Sequence, residues 1–236
     1  MNEIKNPKIS NRLKKCADLV SCGSKIADIG TDHAYIPIYL MLQRKISHAI
    51  ACDIGEGPLK NAEKNIKSYG FEKDIETRLS DGFLNIKENE ADEIIIAGMG
   101  GNMISNILRD CSWENKHTKR FILNPMKYEE KLHEFLFSNG YEIQNEIAVK
   151  CSGKSYLIID ARFTGKIYAP LSHELYIGKL EKNLDEHAFE LIKKQIKNIE
   201  NHKIGAHAEC NFKKERYFDE IHTYLSNILK RRNSRG

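Results

Sequence analysis

The 236-residue sequence predicts an α/β fold, a doubly wound seven-stranded sheet followed by a C-terminal antiparallel helical hairpin. Three observations predict it. Five short apolar runs rich in β-branched residues alternate with helical patterns through residue 139, the signature of parallel β/α repeats. Tyr141–Val149 and Lys154–Phe163 then follow each other with only Ser152-Gly153 as a turn, which makes an antiparallel closing pair. After Pro170 strand patterns stop and two long helical patterns remain. The organisation expected is therefore a sheet domain over 1–165 and a helical hairpin, coiled-coil-like, over 166–236, each with its own core.

Each element has a local reason. Ile9, Leu13, Cys16, Ala17 and Val20 recur at helical spacing behind Ser10, a natural N-cap. Ile26–Ile29 is the first strand, and Ala34–Gln43 the helix behind it, with Pro37 tolerated in the first turn. Ala49–Asp53 is the second strand, and Pro58–Tyr69 a helix opened by Gly57-Pro58 and closed by Gly70. Ile75–Leu79 is the third strand. Glu93–Ala97 is the fourth, apolar enough to be covered on both faces. Asn102–Arg109 is a helix, Arg120–Leu123 the fifth strand, and Tyr128–Ser138 a helix ended at Asn139-Gly140. Beyond Pro170, His173–Asn201 reads as one long helix, Ile204-Gly205 as its break, and Phe212–Lys230 as the returning helix.

Composition excludes several classes. No apolar run reaches the roughly 18–20 residues of a membrane span, and the first residues lack the apolar core of a signal peptide. No membrane partner and a cytoplasmic location are the expectations. The six cysteines have no C-x-x-C pair and read as free, mostly buried thiols, and no histidine or cysteine spacing fits a metal site. The net charge of +4 sits in the tail: residues 164–236 hold 14 Lys+Arg against 10 Asp+Glu. That tail, with Lys5, Lys8, Arg12, Lys14 and Lys15, is either a solvated helix face or a phosphate-binding surface. No obligatory protein partner is evident.

The chemistry concentrates where strands end. Lys25–Pro37 reads K-I-A-D-I-G-T-D-H-A-Y-I-P, a strand ending at Asp28, a turn at Gly30, a second acid at Asp32 and a helix start. The G-x-G-x-x-G fingerprint is absent, and one glycine flanked by two acids suits a pyrophosphate poorly. It suits a ligand with an ammonium group, hydroxyls and a cationic centre, of which S-adenosyl-L-methionine is one. His33 follows Asp32 as a cofactor contact or a structural residue. Asp53, ending the second strand, is placed to accept from both ribose hydroxyls, or is a surface acid before a turn. Asp81 and Gly82, in Ser80-Asp81-Gly82, could take an adenine edge, or form an ordinary D-G turn. Gly98-Met99-Gly100-Gly101 would floor the transfer pocket; the Lys-Ser/Thr of a P-loop is missing. Asn124, in Asn124-Pro125-Met126, faces the same crevice in this reading and could bond a base edge, or simply terminates the strand.

Taken together, D-I-G-T-D-H-A-Y-I-P, D-I-G-E-G-P, S-D-G, I-I-I-A-G-M-G-G and G-K-S-Y-L-I-I resemble the bacterial tRNA (adenine-N1)-methyltransferases that modify adenine-22 in the D-arm. The resemblance covers the whole chain. It implies a Rossmann-like class I methyltransferase domain with a helical C-terminal hairpin, S-adenosyl-L-methionine as cofactor and tRNA as substrate. It also implies cofactor contacts at Asp28, Gly30, Asp32, His33, Asp53, Asp81, Gly82, Gly98, Met99 and Gly100. Where relatives read Q-P-N, this chain has Asn124-Pro125-Met126, a departure at that position. Asp32 and Asn124 are the candidate catalytic residues. Rival readings are a methyltransferase for a small molecule or protein, and a non-catalytic RNA-binding relic of such a fold.

Overall fold

Seven strands form one sheet in the order β3-β2-β1-β4-β5-β7-β6, in a computed structural model that describes residues 7–233. Lys5 of the N-terminal basic segment and Ser234-Arg235-Gly236 of the tail lie outside the described residues. The strands are β1 (Ser24–Ile29), β2 (Ile46–Asp53), β3 (Ile75–Leu79), β4 (Glu93–Met99), β5 (Arg120–Pro125), β6 (Tyr141–Cys151) and β7 (Lys154–Phe163). The first five pair in parallel; β7 runs antiparallel to both β5 and β6. The order reverses between β1 and β4, which opens a crevice at the strands' carboxyl ends, where ligands of open α/β sheets collect.

Alternation along each strand divides the core. Ile26, Ala49, Ala51, Ile95 and Ile122 point to the face covered by α1 (Asn11–Leu19), α2 (Tyr35–Leu42) and α3 (Glu56–Tyr69). Ala27, Ile29, Ile94, Ile96, Phe121 and Leu123 point to the other face, covered by α4 (Gly101–Arg109) and α5 (Glu129–Ser138). Ser10 caps α1 as expected, its hydroxyl accepting from the Leu13 N–H. The third helix starts earlier than Pro58, at Glu56, with Gly55 as its cap.

The C-terminal region departs from expectation in three ways. The pattern from His173 is not one helix. A four-residue turn α6 (Glu174–Ile177) stops at Gly178, a 3-10 turn spans Leu180–Asn183, and α7 (Glu186–Ala208) begins afresh at Asp185, whose carboxylate caps the Ala188 N–H. Gly178 forces the stop: its φ is +52°, and a Cβ there would collide with the Glu146 carboxylate. Second, Ile204-Gly205 lies inside α7; the chain turns at Cys210, φ +53°, before α8 (Phe212–Asn233). Packing along α8 outweighs the roughly 1 kcal/mol that one helical glycine costs.

Third, the hairpin has no core of its own. Ile177, Leu180, Leu191, Ile192, Phe218, Ile221 and Leu225 belong to the same apolar cluster as Phe121, Leu136, Ile143 and Leu157 of the sheet domain. Tethers reinforce it: Asn183 donates to the Asn145 side chain and the Glu146 carbonyl, and Lys194 pairs with Glu129 at 2.7 Å.

Candidate active site

The loops at the strand ends are laced to one another by backbone groups. The N–H groups of Gly30 and Thr31 both donate to the Cys52 carbonyl, at 2.8 and 2.9 Å, which ties the β1 loop to β2. Thr31, buried, accepts from the Ala34 N–H and hydrogen-bonds Asp28 beneath it. Asp53 ends β2 with Oδ1 accepting from the Gly55 N–H at 2.7 Å, and its own carbonyl takes the Ser80 N–H. Ser80 Oγ then braces the next turn, donating to the Gly82 carbonyl and accepting from the Asn85 N–H. Arg78 pins the far end by donating to Glu90 and to the Asn85 carbonyl. In β4 a bulge at Gly98 leaves Met99 paired with Pro125 and swings the Met99 side chain over Gly30, where a Cβ would collide with it.

These loops enclose a cavity of about 780 Å³. Of the residues expected at the cofactor site, Gly30, Asp53, Asp81, Gly82 and Met99 line it. The sequence reading missed most of the rest of the wall. Ile54, Leu84 and Met103 are 70%, 80% and 57% exposed around its rim, while Phe83, Ile107 and Trp113 form its inner side. Trp113 meets Phe83 edge-on at 4.8 Å and donates to the Ile86 carbonyl. Part of the signal for the rim was in the sequence: Ile54 directly follows Asp53, and Phe83-Leu84 follow Asp81-Gly82, where a planar ligand needs covering faces.

Other expected residues are not on that wall. Asp28 is buried under the β1 loop; burial pushes its carboxyl up to about 6, against a pull downward from Thr31 and a push upward from Asp53. Asp32 is exposed and lies 3.2 Å from His33, whose ring stacks on Tyr35 at 5.0 Å. Gly98, in the β4 bulge, and Gly100, between β4 and α4, flank Met99. Asn124 requires a correction. It does not face the crevice, because its position on β5 points it to the α1 face. There it is fully buried, accepting from the Arg12 guanidinium and donating to the Leu157 carbonyl at 2.6 Å. Arg12 also lies over the Tyr156 ring at 5.7 Å. The amide is used within the fold, and no end of it is offered to a base.

The cavity fits an adenosine with a cationic tail. Asp53 keeps Oδ2 for hydroxyls, Asp81 offers a carboxylate beyond it, apolar side chains flank the space between them, and Gly30, with no side chain, lines the cavity beneath Met99. Among the described residues no cluster of His, Cys, Asp and Glu could hold a metal ion, and no helix is long and apolar enough to cross a membrane. The cysteines are free, but only Cys16, Cys52 and Cys111 are buried, fewer than expected. Several cations of the basic tail are paired within the hairpin, Lys203 with Asp219, Lys214 with Glu209 and Arg216 with Glu220.

Comparison with known proteins places the chain. The family described as "Methyltransferase domain" matches residues 9–159. The tRNA (adenine(22)-N(1))-methyltransferase of Bacillus subtilis is 38% identical over 161 residues, which are 68% of this chain and 66% of that protein, just under two thirds of its length. The crystal structure of the B. subtilis m1A22 tRNA methyltransferase superposes with a TM-score of 0.81 at 29% identity, over 94% of this chain and 99% of that one. A putative tRNA (m1A22) methyltransferase from Streptococcus pneumoniae, solved in complex with S-adenosyl-L-methionine, gives 0.78 at 29% identity, over 91% and 99%. The chain belongs to the methyltransferase domain family, and within it the bacterial tRNA (m1A22) methyltransferases are what it is similar to over more than nine tenths of its length.

Proposed function

We propose that this protein transfers a methyl group from S-adenosyl-L-methionine to N1 of an adenine in tRNA, at the position its relatives' names give, adenine-22. The observation that carries the reading is the convergence of Gly30, Asp53, Asp81, Gly82 and Met99 on one cavity, in a chain that matches a relative solved with that cofactor over nearly its full length. The cofactor supplies an electrophilic methyl on a sulfonium centre. Adenine N1 carries an in-plane lone pair, so it attacks without prior deprotonation: the N–C bond forms as the S–C bond breaks, and positive charge passes from sulfur to the base.

The protein's work is then positioning and electrostatics. Asp53 accepts from ribose hydroxyls through the oxygen that Gly55 leaves open. Asp81 takes the adenine amino edge, with Ile54, Leu84 and Met103 on the ring faces. Met99, held over Gly30, limits the space at the transfer end. Asp32, exposed on the β1–α2 loop two residues after Gly30 and off the cavity wall, is the acid we assign to stabilising charge at the reacting end. N1 lies on the pairing edge, so a paired adenine leaves its stack first. The protein incubated with cofactor and bulk unmodified tRNA, small amines or RNA-free protein tests the reading; label in tRNA alone supports it.

A further inference from the structure

We propose that a second cleft, beside the methyl-transfer mouth, receives another unpaired nucleobase of the RNA; this rests on the tRNA reading above. The cleft, about 420 Å³, lies between the β5–α5 loop and α7, within the range of small-molecule sites. Its near wall is Met126-Lys127-Tyr128, and that loop is shared with the methyl-transfer site. The Met126 N–H donates to the Met99 carbonyl at 2.8 Å, and the Gly101 N–H donates to the Lys127 carbonyl at 2.8 Å. A ligand here is therefore a close neighbour of the base under Met99.

Two features specify what the ligand is. Tyr128 presents an exposed ring, 47% accessible, from a φ of +59°, with the Lys127 ammonium 5.1 Å from its centroid; this is a stacking platform with a cation beside it. Opposite, α7 lines the cleft with three carboxamides, Gln195 buried, Asn198 half-buried and Asn201 exposed at the rim. Gln195 is 1% exposed, its Oε1 accepts from Asn198, and its Nε2 finds no acceptor among the described residues. A buried amide left unpaired costs stability unless a ligand or water completes it, and carboxamides are groups that read base edges. Glu129 and Glu130 on the same wall, with only Glu129 neutralised by Lys194, repel a phosphate. A neutral, flat, hydrogen-bonding base satisfies every one of these features.

The test is tRNA affinity by fluorescence anisotropy at one fixed salt concentration, for the full-length wild type, Gln195→Leu, Tyr128→Ala and the double variant. Leucine fills the same buried space, so Gln195→Leu should melt no lower than wild type while its tRNA Kd rises about fivefold. Tyr128→Ala, at a surface position, should raise Kd about tenfold, in line with loss of one stacked base. The double variant should lose less than the product of the two, because both side chains hold one base. All variants should bind S-adenosyl-L-methionine as wild type does. Wild-type tRNA affinity in both single variants, or a fully multiplicative double variant, overturns the second base site while tRNA methylation by the wild type stands. A wild type that neither binds nor methylates tRNA overturns the functional reading, and the subsite with it.

Discussion

His133 Nε2 on α5 and Glu146 Oε1 on β6 meet at 2.6 Å with both side chains wholly shielded from solvent. The pair is the hinge pin of the hairpin. Glu146 also accepts from the Lys179 N–H, His133 Nδ1 faces the Leu175 carbonyl, and Gly178 packs against the carboxylate. Burial pushes the His133 imidazolium down, but Glu146 and the Leu175 carbonyl outweigh it and hold the group above its ordinary value.

Glu146→Ala should therefore destabilise the whole protein by about 3–5 kcal/mol, since it strands a buried partner. Because the folded imidazole holds its proton more tightly than the unfolded one, its contribution is complete below about pH 6.5 and fades as pH rises through the raised value. Chemical denaturation between pH 6 and 9 checks this: the wild-type advantage over Glu146→Gln should shrink as pH rises.

Deleting residues 166–236 should not release a working sheet domain. The truncation bares Ile143 and Leu157 and strands His133 and Glu146, so the product should aggregate or lose cooperative melting. A soluble, cooperatively melting fragment would show that the shared cluster contributes little.

Asp28 gives a second pH limb. Its folded carboxyl titrates at about 6 against 3.8 unfolded, so the folded state binds the proton more tightly. Stability from this group is greatest below about pH 4 and declines as pH climbs through 6; the gap of about two pH units is worth about 3 kcal/mol. Asp28→Asn keeps an acceptor for Thr31 and should melt higher than wild type at pH 8, the difference closing near pH 4. A lower melting temperature at pH 8 contradicts the assignment.

Asp53→Ala should weaken S-adenosyl-L-methionine binding at least about tenfold, or about 1.4 kcal/mol, in calorimetry on a folded variant. Unchanged affinity would remove Asp53 from the cofactor's contacts.

Asp32→Asn separates two roles. A fall in kcat at saturating cofactor supports charge stabilisation; a pure rise in cofactor KM supports a binding role alone. We expect the fall in kcat.

The sheet was legible because its signals are local. Ile94–Ile96 need two covered faces, and Asp53 and Asp81 sit where strands stop, so strand and site positions follow from one pattern, whereas Asp28, read the same way, is buried under its loop. What was not legible depended on partners far along the chain. Asn124 looks like a mouth residue until Arg12, 112 positions earlier, takes its oxygen. Gly178 looks like a tolerable glycine near a helix start until Glu146 occupies the space beside it. Gly205 looks like a breaker, yet α7 runs through it to Ala208. Helical periodicity alone does not reveal that Leu191 and Phe218 finish the sheet's core rather than make a second one.

The product of the reaction tests the central claim most directly. Unmodified tRNA is treated with the full-length protein and S-adenosyl-L-methionine, digested to nucleosides and analysed by mass spectrometry, with reverse transcription to locate the modified position. The account predicts N1-methyladenosine and one reverse-transcription stop, at adenine-22. A methylated guanine or cytosine, or methyl transfer only to a small amine or a protein, would contradict it.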